Sequence, residues 1–540
     1  MKYAIGIDYG TESGRVILVN IENGDIVATS VTPYPHGVIT GHLNNRTLGK
    51  ETALQVPQDY LEVLINSIPE VMKEINPNDI VGIGLDFTSS TILPVDENLN
   101  PLCETKEHEN NPHAYVKLWK HHEAEDEAKH LNKIVQQEQW TKRYGGTISS
   151  EWMLPKVLEI ANDDPPLFNQ VHLFLEAGDW VISKLTGNLI RNSCSAGYKG
   201  TWHKETGFID NETLQKISPA LNDIYKTKLQ GNVQSSGTLA GTLTKEISVK
   251  VGLHEGTPVA VGIIDAHAAL PGAGVSEPGT LVMVMGTSTC HLLLSDKEVL
   301  VPGISGVVEG GILPGYFAYE AGQAAVGDLF AHFLKNYQTN FETLSDEAKI
   351  LHPGQSGLLA LDWHNGCRTP FVDTTLSGVL VGEKLSTTPA EVYRALLEAT
   401  AFGTKVIIDL FEKHEIPINQ VIATGGIPNK NNLLMQIYAD ILQKEITVVQ
   451  NDQAPALGAA ILGAVAAGAY DSYSRAIRHM ASNKTIVYKP NKDNANIYIQ
   501  LFDMYKQLST FFTEQSSIMH DLNHLKGEKK YDRKPMEHLQ

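Results

Sequence analysis

Apolar positions recur along this chain with two different spacings, and their succession predicts strands alternating with helices. Three strand-like runs come first, Tyr3 to Asp8, Arg15 to Asn20 and Asp25 to Thr32, separated by turn residues at Tyr9-Gly10-Thr11 and Asn23-Gly24. That spacing predicts an antiparallel meander. An amphipathic stretch from Tyr60 to Ile75 predicts a helix. The apolar run Ile80 to Asp86 then predicts a buried strand, and it ends in the polar cluster Thr88-Ser89-Ser90-Thr91. Alternation of this kind indicates an α/β class.

The pattern returns past the middle of the chain. Pro258 to Ile264 reads as a strand, and Leu281 to Met285 with Cys290 to Leu294 reads as a hairpin around Gly286-Thr287-Ser288-Thr289. Helices are expected near Gln323 to Asn336, Pro389 to His414 and Asn432 to Gln443, with a strand at Val421 to Gly425. An Ala-rich helix is expected from Pro455 and a last helix around Ala495 to Leu522, before a charged tail at Lys526 to Gln540. The second half repeats the first in kind. With 540 residues, 42% of them hydrophobic, the chain is too long for one core. The expected division is 1–255, 256–490 and a C-terminal helix and tail, 491–540, with a central cleft.

A formal net charge of -19 argues against a partner recognised through its phosphate backbone. Cys103, Cys194, Cys290 and Cys367 lack metal-ribbon or disulfide-framework spacing, and Met1 to Asp8 has no export signal, so a cytoplasmic location is expected. The apolar run Ala454 to Ala469 is too short to span a bilayer and reads as a buried helix.

Candidate chemistry lies in the turns. Asp8-Tyr9-Gly10-Thr11-Glu12-Ser13-Gly14-Arg15 is a strand ending in a carboxylate, then a Gly/Thr/Ser turn, then another strand. Gly10 lets backbone N–H groups approach phosphate oxygens, Thr11 and Ser13 add donors, and Asp8 suits Mg2+. An ordinary hairpin turn has the same composition. Gly286-Thr287-Ser288-Thr289 is a second such turn, and Thr424-Gly425-Gly426-Ile427-Pro428-Asn429 joins a strand to a helix. GxxxxGK[ST] does not occur, which excludes P-loop phosphate binding. Asp265 ends the apolar run Ile263-Ile264 and is the candidate base for drawing a proton from a hydroxyl, although by itself a cap for the following helix is the favoured reading. Two polar clusters, Ser195 to Lys199 and Tyr319 to Gln323, suit hydroxyls, and each reads also as a loop with a solvated charge. Trp119 suits the apolar face of a sugar, although a core or rim tryptophan is the default reading. His121, His122, Glu123, Glu125 and His130 read as a solvated helix face rather than a metal site.

Together these segments resemble the FGGY carbohydrate kinases, members of the actin-like (ribonuclease H-like) ATPase fold, from about residue 3 to residue 470. Gly378 to Gly382 with Glu391 to Glu398 resembles the family's second signature, with Glu383 where an apolar residue is usual. Gly146 to Pro155 (GTISSEWMLP), Cys194 to Lys199 (CSAGYK), Gly286 to Cys290 (GTSTC) and Glu320 to Asp328 (EAGQAAVGD) resemble the branch of that family that phosphorylates L-ribulose. The resemblance implies a duplicated two-domain fold and transfer of the ATP γ-phosphoryl group to the terminal primary hydroxyl of L-ribulose or another pentulose. The product would be L-ribulose 5-phosphate, in L-arabinose breakdown. It implies Asp265 as general base, with Ser89, Ser90, Trp119, Lys120, Lys199 and Glu320 at the sugar. Gly10, Thr11, Ser13, Gly286, Thr287, Gly425, Gly426 and Asn429 would face ATP, and Asp8 the Mg2+. His121 departs from the family's Trp-x-Asp pattern. The implied partners are the sugar and ATP, neither nucleic acid nor membrane, with a homodimer left open. An actin-like ATP-driven switch shares the two phosphate turns but not the sugar constellation.

Overall fold

In the computed structural model, which describes residues 1–481 and 484–528, the chain forms two compact units. Unit 1 holds Met1–Val282, Leu292–Glu320 and Val449–Thr485, and unit 2 holds Met283–His291, Ala321–Val448 and Ile486–Gln540. The units are not cut at one point in the sequence. The expected boundary near residue 255 falls inside unit 1, and a late segment of the chain returns to it.

The meander forms as its apolar alternation requires. Strand Tyr3–Tyr9 pairs antiparallel with Ser13–Asn20, which pairs antiparallel with Ile26–Pro33. On its other side Tyr3–Tyr9 pairs parallel with Ile80–Phe87, in a register that sets Asp8 beside Asp86. The run from Pro258 to Ile264 is two short strands rather than one, Pro258–Ala260 and Ile263–Ile264. Both pair parallel with Ile80–Phe87, and the second places Ile263 beside Asp86. Gly262 stands at the break.

One helix holds this sheet from behind. Ala454–Ala466 is almost wholly buried against Tyr3–Tyr9, Ile80–Phe87 and helix Asp265–Gly272. Its backbone lies so close that a Cβ at Gly84 would sit 1.9 Å from the Ala459 carbonyl oxygen, and one at Gly458 1.9 Å from that of Ala268. Glycine and alanine at these crossings are therefore requirements of distance, not of flexibility. The buried helix expected from the Ala-rich run is present.

In the second large sheet the strands Thr289–Ser295, Thr280–Met285, Gln420–Thr424 and Ile446–Val449 follow one another in that order, the last two parallel. Helix Pro389–Lys413 starts at a capping box in which Thr388 and Glu391 exchange hydrogen bonds. Within it Arg394 and Glu398 form a buried pair that also binds the Tyr498 hydroxyl, fixing helix Lys492–Thr510. Glu383 is exposed, so its departure from the signature costs no packing. The helix expected near Gln323 begins at Gly327, because Gln323 still belongs to strand Phe317–Gln323. The last expected helix is interrupted, with a π-helical turn at Phe511–Gln515 before Ile518–Glu528. From residue 529 the expected charged tail lies outside the described residues. Among those described, no helix is long and apolar enough to cross a membrane.

Replacing Gly84 by alanine is expected to destabilise unit 1 by about 3 kcal/mol, since overpacking against a backbone has no flexible side chain to absorb it. Denaturant unfolding of Gly84→Ala beside wild type measures this, and a loss below about 1 kcal/mol would contradict the close-approach account.

Candidate active site

Three apolar strands of unit 1 run into aspartates, and parallel pairing sets the strand ends side by side: Asp8, Asp86 and, just beyond Ile263-Ile264, Asp265. Both Asp86 oxygens are buried without a hydrogen-bond partner among the described residues. Burial, then the charges of Asp8 and Asp265, pushes the Asp86 carboxyl well above the usual carboxylate range. Asp8 is also raised by burial, against the opposing influence of Asp86 and of Arg15, whose guanidinium lies 3.5 Å away. A buried carboxylate with unsatisfied oxygens beside the half-buried carboxylate of Asp8 is a donor set that fits a hard divalent cation. Asp86 went unselected in the sequence reading, although the signal was present: AIGID, VGIGLD and VGIID are three apolar runs with the same ending.

Asp265 is the first residue of helix Asp265–Gly272, and the cap position belongs to Ile264. One Asp265 oxygen accepts the Ala266 N–H at 2.7 Å. Burial, reinforced by the charges of Asp8 and Glu320 and opposed by that hydrogen bond and by Lys199, raises its pKa to about 7. A carboxylate poised there changes protonation in the range where a general base works.

Near it lies an ion pair in which Lys199 Nζ donates to both Glu320 oxygens, at 3.1 and 3.0 Å. Glu320 ends the unit 1 part of strand Phe317–Gln323, and Lys199 follows the buried helix Ser193–Tyr198. Burial would raise the Glu320 carboxyl, but the Lys199 ammonium and His267 outweigh it and hold the group ionised far below the usual range. His267 Nε2 lies 3.3 Å from Glu320, with its ring against Tyr198. Two carboxylates close in space are thus driven in opposite directions, one toward neutrality and one toward permanent charge.

The other expected sugar residues are in unit 1 too. Ser90 is buried, has φ 50° and leaves its Oγ without a partner among the described residues, while Ser89 is half-buried. Trp119 Nε1 donates to Thr11 Oγ1 at 3.2 Å, joining Trp119 to the turn that follows strand Tyr3–Tyr9. Lys120 is partly exposed and reaches Glu12 at 4.0 Å. In the turn itself Gly10 N–H donates to Ser13 O at 3.0 Å. His121 does not lie on a solvated helix face: the helix starts only at Glu125, and His121 is buried against Lys117 and Glu159. An imidazole between an ammonium and a carboxylate satisfies both, whereas the exposed charges downstream do face water.

Unit 2 contains a cavity of about 1120 Å³ lined by Gly286, Thr287, Gly327, Gly426, Lys430 and Asn431, among others. Gly286 N–H donates to Ser288 O at 2.9 Å, as Gly10 does to Ser13. Gly425 and Asn429 stand behind the lining. Gly425 has φ 108°, a Cβ there would meet the Met285 carbonyl at 2.4 Å, and Asn429 Nδ2 donates to its carbonyl at 3.2 Å. Residues 3–272 match the N-terminal domain model, and residues 281–467 the C-terminal domain model, of the FGGY family of carbohydrate kinases. This chain belongs to that family. FGGY membership implies a nucleoside triphosphate donor, a divalent metal and a sugar acceptor.

Among its relatives, the ribulokinase of Geobacillus thermodenitrificans is 50% identical over 97% of this chain and 97% of its own length. That of Anoxybacillus flavithermus is 49% identical over the same shares. Among solved structures, a xylulose kinase from Rhodospirillum rubrum covers 96% of this chain and all of its own, with TM-score 0.81 at 21% identity. The Plasmodium falciparum glycerol kinase with ADP covers 94% and 98%, with TM-score 0.77 at 18%. At such identities these structures speak for the fold alone, a two-domain α/β architecture shared with sugar kinases.

Because Asp265 is held above its unfolded pKa, its contribution favours folding only while it is protonated and is lost as pH rises toward about 7. Asp265→Asn is therefore expected to unfold at a higher Tm than wild type at pH 8, with the gap narrower at pH 5, because it closes fully only as pH falls to the unfolded value of 3.8. Thermal scans at the two pH values check this. Lys199→Met leaves Glu320 buried without its ammonium and is expected to cost about 3 kcal/mol, read by denaturant unfolding.

Proposed function

We propose that this FGGY kinase is a ribulokinase, which transfers the γ-phosphoryl group of ATP to the terminal primary hydroxyl of L-ribulose and yields L-ribulose 5-phosphate. The observation that carries the reading is Asp265, poised near neutral pKa beside the Lys199 and Glu320 pair, in a chain half-identical to curated ribulokinases over nearly all its length. ATP places this activity in the cytoplasm.

In this mechanism Lys199 and Glu320 hold sugar hydroxyls, Glu320 as a fixed acceptor and Lys199 as a donor. Ser89, Ser90, Trp119 and Lys120 line the same sugar site. Asp265 accepts the proton of the terminal hydroxyl as its oxygen bonds to the γ-phosphorus and the bond from phosphorus to the ADP oxygen breaks. Gly10, Thr11 and Ser13 form the phosphate turn of unit 1. Gly286 and Thr287, with Gly425, Gly426 and Asn429, form the nucleotide site of unit 2. Asp8, with Asp86 beside it, would hold Mg2+, which when bound neutralises charge on the phosphoryl oxygens.

ADP release with MgATP tests the reading against L-ribulose, D-ribulose, L-xylulose, D-xylulose, glycerol and sugar-free buffer. The expected outcome is turnover with L-ribulose that Asp265→Asn lowers about 10²–10⁴-fold, the range for loss of a general base. For wild type kcat/KM should climb with pH through the neutral range, because the base must be ionised, and that rising limb should be missing in the variant. ATP hydrolysis that ignores sugar and survives Asp265→Asn would instead favour an ATP-driven switch.

A further inference from the structure

The stretch from Gly146 to Lys156 makes none of the contacts assigned above, yet its residues lie directly behind those that do. Trp152 is buried under Lys199, whose Nζ is 5.8 Å from the indole centroid. The helix that follows, Met153–Asp163, sends two buried charged side chains the same way, Lys156 and, one turn on, Glu159. Lys156 Nζ donates to the carbonyl oxygens of Ser90, at 2.8 Å, and Leu118, at 2.7 Å. Glu159 accepts from Lys117 Nζ at 2.7 Å and binds His121 Nε2 at 3.1 Å, the residues flanking Leu118, Trp119 and Lys120. Ser90 needs such a hold, because φ 50° is a costly conformation for a residue with a Cβ.

We propose that Lys156 is a positioning residue for the ketose: by binding the Ser90 and Leu118 carbonyls it fixes the spacing between the Ser89-Ser90 loop and the Trp119-Lys120 segment, and so sets sugar affinity without touching the sugar. The proposal rests on the sugar-kinase reading above. Two further observations favour a positioning role over a packing one. Lys156 is completely buried, yet among the described residues it forms no ion pair, only bonds to backbone. Burial drives its pKa down to about 7, with Lys117 adding to the effect and Glu151, Glu176 and Glu159 opposing it. An apolar chain of that length would fill the space at lower cost, so the ammonium is there for the two carbonyls it binds.

Steady-state kinetics of the full chain with L-ribulose and MgATP tests this on Lys156→Met and Lys156→Gln, with Tm measured for each. The expected result for Lys156→Met is a KM for L-ribulose raised about tenfold, with KM for MgATP within about twofold and kcat falling by less than the sugar KM rises. Lys156→Gln, which keeps one donor, should lie between it and wild type, and it decides the matter if Lys156→Met is not recovered folded. A folded variant with unchanged KM for L-ribulose, or with both KM values raised alike, would overturn the proposal. Wild-type protein that turns over none of the ketuloses would overturn the sugar-kinase reading, and this inference with it.

Discussion

Everything in unit 1 depends on how closely the backbone of helix Ala454–Ala466 approaches the sheet and the helix Asp265–Gly272. The contact works only because Gly84 and Gly458 lack a Cβ where a carbonyl oxygen would lie 1.9 Å away. Each crossing brings carbonyls and Cα atoms of neighbouring elements together without intervening side chains, so dispersion contacts are dense and almost no lateral play remains. The ends of Tyr3–Tyr9 and Ile80–Phe87 and the start of Asp265–Gly272 are therefore fixed relative to one another, and those are the positions of Asp8, Asp86 and Asp265. The contact also explains why a segment this late in the sequence belongs to unit 1.

Rigid convergence of three carboxylates has an electrostatic consequence. Each is desolvated, and the charges of Asp8 and Asp265 bear on Asp86 and that of Asp8 on Asp265, so protons are retained where an isolated aspartate would lose them. Glu320 escapes because Lys199 and His267 are built against it. The different behaviour of Asp265 and Glu320 comes from their neighbours, not from their own chemistry, and it gives one site both a group that can exchange a proton and a group that cannot. Separation of roles between two carboxylates is what proton removal from one hydroxyl, with firm retention of another, demands.

Much of this was legible in the sequence because it is local. The meander, the turn from Asp8 to Arg15, the helix from Pro389 and the strand-end aspartate Asp265 all depend on residues within a few positions of each other. Lys156, Glu159 and Lys117 were not legible, since a buried lysine and a solvated one have the same spelling and only distant neighbours separate them. His121 was misread for that reason, as part of the charged run that follows it. The break at Gly262 was hidden because an apolar run gives no sign of where pairing lapses, and the late start of the helix at Gly327 because EAGQ is as compatible with a strand as with a helix.

The residues proposed to touch the substrate are thus the easier half of this site to read, and those that hold them in place are the harder. Ser89, Ser90, Trp119 and Lys120 sit on irregular backbone, where affinity for a small polyol is most at risk, because water offers its hydroxyls the same hydrogen bonds at no cost in order. A loop gains over water only when its donors and acceptors are already at the sugar's spacing. Helix Met153–Asp163 supplies that order from behind, tying both segments to one rigid element by charged, buried bonds that a loop could not make to itself. Such bonds add little net stability after desolvation, but they are directional where apolar packing is not, and direction is what a site that must tell one pentulose from its epimer requires.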